Sequence, residues 1–407
     1  MGWVKGASLV FPNASIMPRF STSHRHRILR IVHSPVILFR SRTSRSCTKA
    51  GRFSDSGARR IDIILYPTMA CFPILQTGQV AQGLHDSREI HLRNIRQLTF
   101  GGENAEAYFS FDGKKLIFQS TRPPFKADQI FTMNIDGSDV RLVSTGKGRC
   151  TCGFWSPDGK KILYSSTDWL SDEPPPSPDR SHGYVWGLFP YRLYVANADG
   201  SQRVAITDDD AYNAEGSFHP KGDRILFTTT RYGNLDLCEY NLRTRRFERL
   251  TDEIGYNGGA FYSWDGKYIV YRAYHPKTKE EIEEFQHLLR LRLVRPSRLE
   301  LWVMTADGKR KWQVSRLGGA NFAPFMRPGN RQIIFSSNHH DPRGREFDLF
   351  LINLDGTGLQ RVTYTPAFDG FPMFSRDGKR LVWASNRNAQ VPGETNIFIA
   401  DFVDTSD

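Results

Sequence analysis

Hydrophobic and polar positions along this chain recur in a fixed order from about residue 94 onward, and the recurrence predicts the fold before any single residue does. Six segments read FSFDGKKLIF, WSPDGKKILY, FHPKGDRILF, YSWDGKYIVY, MRPGNRQIIF and FSRDGKRLVW, with a turn residue at Gly113, Gly159, Gly222, Gly266, Asn330 and Gly378. Four positions before it stand Phe109, Trp155, Phe218, Tyr262, Met326 and Phe374; five after it stand Phe118, Tyr164, Phe227, Tyr271, Phe335 and Trp383. A polar turn between two large apolar columns is a hairpin. Ser156-Pro157-Asp158-Gly159 suits a type I turn with proline at its second position, and the glycine accepts the positive φ that follows. Asn330 is the best non-glycine substitute there. The run after the turn, as in Leu116-Ile117-Phe118, is apolar at consecutive positions and calls for a strand covered on both faces.

Each unit continues into a third strand (QIFTMNID, RLYVANAD, DLCEYNL, LELWVMTAD, DLFLINLD, NIFIADFV), and all but the last into a fourth (VRLVST, RVAIT, FERLT, WQVSRL, QRVTY). An unattached strand, IRQLT from Ile95 to Thr99, precedes the first unit. Placed beside the last third strand, it closes the sheets into a ring without open edges. The expected fold is therefore all-β: a six-bladed β-propeller of four-stranded blades over residues 94–407, closed by its N-terminal strand, behind a separate segment 1–93.

Turn-to-turn spacings of 46, 63, 44, 64 and 48 put about 20 extra residues into units two and four, in both cases between second and third strands. The unit-two insertion is proline-rich (Asp172 to Pro176, then Tyr184 to Tyr191) and reads as a semi-rigid loop. The unit-four insertion reads as a helix from about Lys279 to Val294. Thr278 and Glu281 have capping-box spacing, Ile282, Phe285 and Leu289 form a stripe expected to pack on the propeller rim, and Pro296 follows. Strand direction alternates, so both insertions and the blade-to-blade connections lie on one face of the disc.

Candidate binding residues gather on that face. Asn104, Asn213, Asn257, Asn321 and Asp369 stand nine positions before the turn residue, with Cys150 the exception. They read either as turn caps or as a polar ring at the channel mouth. Glu106 and Glu215 follow, then small residues or proline where the inner strands converge. Nine residues after the turn come Arg122, Arg231, His339 and Arg387, and acids open the third strands at Asp128, Asp236, Glu300 and Asp348; these are expected to form structural ion pairs. One polar cluster is not repeated: His339, His340 and Asp341, with Arg343, Arg345 and Glu346. Adjacent histidines without a third ligand at regular spacing leave metal binding there an open question.

Charge narrows the range of partners. The formal charge of +12 is uneven: residues 1–54 hold ten Lys or Arg and no acid, leaving 45 basic against 43 acidic residues in the remainder. A near-neutral body gives no electrostatic reason to expect nucleic acid, and no run of 18 apolar residues offers a membrane span. The basic, Ser- and Arg-rich start resembles an organelle transit peptide, and Arg59-Arg60 ahead of Ile61 to Leu75 resembles a secretory signal; the alternative is a dispensable extension, with translation starting near Met69. No Gly-x-Ser-x-Gly elbow, phosphate-binding loop or His-Glu-x-x-His is present. Cys150 and Cys152 are expected to face the same side of one strand, unbridged. A monomer without a cofactor is the expectation.

The units resemble the TolB-type propeller repeat, in which Trp-Ser-Pro-Asp-Gly-Lys leads into an apolar strand, a Ser-x-Arg loop and a strand closed by Asp-Gly. Unit two, Trp155 to Lys160, is the nearest copy, and the resemblance runs from residue 94 to 403. The helical insert, LELWVMTADG, SSNHHDPRGREFDL and DGFPMF are similar to a bacterial exported subgroup, some of whose members are joined to peptidase domains. The resemblance implies a periplasmic or secreted binding scaffold, with an organellar location as the alternative if the leader is a transit peptide. TolB proper carries an N-terminal α/β domain that residues 1–93 do not resemble, and prolyl oligopeptidase relatives carry a hydrolase domain beside the propeller. The expected function is a non-catalytic module that recognises a protein, peptide or glycan through Asn104, Glu106, Asn213, Glu215, Asn257, Asn321, His339, His340, Arg343 and Asp369. The alternatives are a metal-assisted polysaccharide lyase or hydrolase, since some TolB-like propellers resemble pectin-degrading lyases, and an accessory propeller of a separate serine peptidase.

Overall fold

A computed structural model of the chain describes residues 84–404; the basic leader, apart from its last ten residues, lies outside them. Each repeat becomes one antiparallel blade, and six four-stranded sheets are formed. Their inner strands are Glu103–Phe109, Cys150–Trp155, Asn213–Phe218, Tyr256–Tyr262, Asn321–Met326 and Asp369–Phe374. The hairpin turns form as the residue types require. In blade two the Gly159 amide donates to the Ser156 carbonyl at 2.9 Å, and Asp158 accepts from the Ser156 hydroxyl at 2.6 Å and the Lys160 amide at 3.0 Å. Gly159 takes φ of 69° and Asn330 takes 55°. The column five residues after the turn, Phe118 to Trp383, is at most 1% exposed in every blade, and burial of each ring contributes about 2–3 kcal/mol.

The ring closes through the N-terminal strand, which runs Leu92–Gln97, three residues earlier at its start than Ile95, and pairs antiparallel with Asn396–Phe402. The residues ahead of it belong to the propeller too. Glu89 is fully buried and pairs with Arg387 at 3.1 Å, while Arg387 also holds Asp369 at 2.8 Å.

The two insertions meet. The helix spans Lys279–Arg290 with the expected capping box between Thr278 and Glu281, but it stops four residues short of Val294 because Arg292 turns to φ of 57°. Leu293–Val294 then forms a short strand paired with Trp186–Gly187 of the blade-two insertion, and the Leu188 amide donates to the Arg292 carbonyl at 2.7 Å. Phe285 and Leu288 are the buried face of the helix. Phe285 shares a buried region with Val294, Leu188 and the inner-strand residues Tyr256, Phe322 and Ala323, and Leu288 packs with Val185 and Leu293. Two insertions more than 100 residues apart in sequence thus build one lid.

Candidate functional site

Every inner strand carries a bulge seven residues before the turn. Glu106, Cys152, Glu215, Gly259, Ala323 and Phe371 all adopt positive φ between 48° and 59°, and the strand register shifts at each. The bulge reaims the strand before it dives down the axis. Two residues further on, the axis is filled: Tyr108, Phe154, Phe261 and Phe325 pack with ring centroids 5.2–5.7 Å apart. The mouth above that plug is lined by the bulges and roofed by the lid.

A charged cluster occupies one side of the mouth. The Arg272 guanidinium enters the space that Gly259 leaves open, where an added Cβ would lie 2.2 Å from its Nη1. There it pairs with Glu215, and its Nε donates to the Tyr256 hydroxyl at 2.8 Å. Glu215 also accepts from the Thr228 hydroxyl at 2.7 Å and the Gly259 amide at 2.8 Å, and Trp186 of the lid lies 5.4 Å from the guanidinium. Burial, the largest single influence, would lower the Arg272 pKa; Glu215 and the Tyr256 hydroxyl together outweigh it and hold the group charged. Glu106, half-buried across the mouth, lacks such a cation. Burial first, then the Glu215 carboxylate, push it up to about 7, against the pull of the Cys152 thiol and Arg272.

Asn104, Asn213, Asn257 and Asn321 are fully buried and engaged in clamps between blades. Each Nδ2 donates to the carbonyl just before the third strand of the preceding blade: Thr395 at 2.8 Å, Tyr191 at 3.2 Å, Leu235 at 3.3 Å and Leu299 at 2.9 Å. The Oδ1 atoms of Asn104, Asn213 and Asn321 accept from Ser120, Thr229 and Ser337 hydroxyls at 2.6–2.8 Å. Asp369, equally buried, accepts from Trp383 Nε1 at 3.1 Å and from Arg387. The column therefore joins neighbouring blades, and the mouth itself is presented by Glu106 and Glu215, by Cys152, which the sequence did not place in a site, and by Arg272 and Tyr256, which it did not single out. A signal for Arg272 existed: at its position in the second strand the other blades carry Gln119, Ser165, Thr228, Ser336 and Ala384, all uncharged. Cys150 and Cys152 do not share a side, because the bulge at Cys152 breaks the strand alternation; Cys150 Sγ lies 3.3 Å from the Ser166 hydroxyl.

The expected ion pairs form in part and with other partners, and Arg122 meets a neutral amide. Arg122 donates to Asn104 at 2.7 Å and Arg231 to Asp209 at 2.6 Å. The acids opening the third strands, Asp128, Asp236 and Asp348, are met instead by Arg149, Arg249 and Arg361 at 3.8, 2.9 and 2.6 Å. The histidines part company. His339 Nδ1 lies 3.0 Å from the Ser337 hydroxyl with its ring 4.6 Å from Phe350, whereas His340 Nε2 reaches Asp348 at 3.3 Å and Glu346 at 3.8 Å. Burial, then the neighbouring Arg361, lower the His340 pKa and favour the neutral ring. Arg343 is exposed on the same loop.

No family model matches the chain. It is similar to a protein TolB homolog of Chlorobium luteolum, 23% identical over 219 residues that cover 47% of this chain and 48% of that protein. It is also similar to the Tol-Pal system protein TolB of Ruthia magnifica, 27% identical over 147 residues, 35% of this chain and 30% of that protein. The chain thus matches less than half the length of either. Among solved structures, a putative TolB from Agrobacterium tumefaciens aligns with a TM-score of 0.51 at 18% identity, covering 74% of this chain and 91% of that one, which establishes the likeness of fold. The chain is a TolB-like six-bladed propeller, and among the described residues no helix is long and apolar enough to cross a membrane.

Proposed function

We propose that this propeller is a non-catalytic binding module, exported from the cytoplasm, that engages a protein or extended peptide through its lidded face. The observation that carries this reading is the joining of two long insertions into one platform over the mouth, while among the described residues the strand connections on the opposite face are tight turns. Loops set on a rigid scaffold are where recognition residues concentrate. Tyr184, 69% exposed, and Leu291, 47% exposed, place large apolar side chains on that platform. The mouth beneath favours binding over chemistry: Arg272 is neutralised by Glu215, and the asparagine column joins blades. The location rests on the resemblance to TolB proteins, one of which is named for the Tol-Pal system.

Photo-crosslinkers placed at Tyr184 on the lid and at Leu359, 40% exposed in an outer turn of the other face, test the reading in extracts of the native cell envelope. A discrete protein adduct from position 184 and none from 359 is expected. Equal labelling from both positions would remove the lid's role, and capture of carbohydrate in place of protein would shift the ligand class to glycan.

A further inference from the structure

We propose that the loop between the second and third strands of blade five is a divalent transition-metal site, with His340, Glu346 and Asp348 as protein ligands and zinc as the best-matched ion. One donor atom from each lies within 4.8 Å of the others, and His340 Nε2 stands 3.3 Å from Asp348 Oδ2 and 3.8 Å from Glu346 Oε1. A tetrahedral zinc ion with bonds of about 2.0–2.1 Å to nitrogen and oxygen separates its ligand atoms by roughly 3.3–3.4 Å. The histidine separations are close to that spacing with the loop as it stands. An imidazole with two carboxylates selects a borderline ion over calcium or magnesium, and three protein ligands leave a fourth position for water.

Comparison among the blades supplies the second observation. The acid opening the third strand also occurs as Asp128 and Asp236, where it meets an arginine and neutral hydroxyl or amide groups. Two residues ahead of that acid stand Lys126 in blade one and Asn234 in blade three, where blade five has Glu346. The structural pair in blades one and three forms without a second carboxylate or a histidine. Blade five has added both, and Arg361 at 2.6 Å from Asp348 and 3.7 Å from Glu346 supplies one positive charge against two carboxylates. Arg361 is the competing cation. Its side chain is 25% exposed, its Nε is held by the Thr363 carbonyl at 2.9 Å, and metal binding requires its terminal nitrogens to swing outward.

Titration of the chelator-treated full chain with cobalt(II) and then zinc(II) chloride, followed by visible absorption and calorimetry, tests the proposal. Wild type is expected to bind one equivalent at this site, with the intense cobalt bands of a tetrahedral centre that zinc abolishes. His340→Ala and Glu346→Gln should each lose that equivalent or weaken it by at least about tenfold, His339→Ala should leave it unchanged, and Arg361→Gln should tighten it. Far-UV circular dichroism confirms that each variant is folded. Equal binding by wild type and His340→Ala, or no binding by wild type, overturns the site; an Arg361→Gln affinity that is unchanged or weaker overturns the exchange of cations.

Discussion

Gly113 and Gly259 both have positive φ, for different reasons. Gly113 sits at the tip of a hairpin with nothing within 4 Å of where a Cβ would be, so Gly113→Ala is expected to cost only the left-handed backbone, about 1 kcal/mol in denaturant unfolding. Gly259→Ala drives a methyl into the Arg272 guanidinium and is expected to cost several times more, with Arg272→Ala losing most of that difference in the double variant. Glu106 gives the mouth a pH dependence. Its folded pKa of about 7 lies above the unfolded value near 4.5, so the native state holds a proton that the unfolded chain has already released between those limits. Its contribution to stability is therefore fully present at acid pH and is lost as pH rises through about 7. Even after discounting for its partial exposure, a loss on the order of 1–3 kcal/mol is expected between pH 5 and 8. Unfolding midpoints of wild type and Glu106→Gln measured across that range check it: the substitution should flatten the slope, and parallel curves would exclude Glu106 as its source.

At the scale of elements, the lid is the feature whose pairing depends on few backbone bonds. Val294→Pro removes the N–H at the bonded pair of Val294 with Trp186, and proline is not tolerated within a strand. It is expected to open residues 168–190 and 275–299 to limited proteolysis while the blades melt within about 2 kcal/mol of wild type; partner crosslinking from Tyr184 should fall with it. Peptide mapping of the first cleavages decides, and cuts spread evenly over the blades would show that the lid is not a separate unit. Which elements the sequence reveals follows from the same distinction between local and distant pairing. The hairpins and their two columns of large apolar residues are local and recur six times, and the helix cap is local too, so their residues announce them. The helix end and the Trp186–Gly187 strand are settled by contact with a segment more than 100 residues away, which no local pattern encodes. The bulges were hidden for another reason: only Gly259 among the six carries the residue type that marks positive φ, and Cys152, Ala323 and Phe371 adopt it without that signal. Of the candidate site, the face and both glutamates were legible. The asparagine column was visible as a column, but its clamping partners lie in another blade and its burial could not be read from spacing.

For the whole molecule, the consequence that matters is how the ring is closed. Each blade packs on its neighbours, so the closure between blade six and blade one bears on all of them, and it depends on an N-terminal strand that must find its partner 300 residues away. The structure fastens that strand electrostatically as well as through its ladder. Arg387 is 3% exposed and lies between the buried carboxylates of Glu89, in the segment just ahead of the strand, and Asp369, on the inner strand of blade six. Removing the cation leaves two desolvated carboxylates facing each other, so Arg387→Met is expected to cost about 3–5 kcal/mol, and the triple variant with Glu89→Gln and Asp369→Asn should recover much of it because no buried charge is then left unpaired. Deleting residues 84–97 has a different signature. It leaves the fastener's other half in place but exposes the edge of Asn396–Phe402, whose apolar residues Ile397, Phe398 and Ile399 are otherwise at most 1% exposed. Light scattering after size exclusion should then show edge-to-edge oligomers, whereas Arg387→Met should remain monomeric in dilute buffer and differ from wild type only in its unfolding midpoint. A deletion variant that stays monomeric with an unchanged midpoint would mean that the ring is held by its inner strands alone.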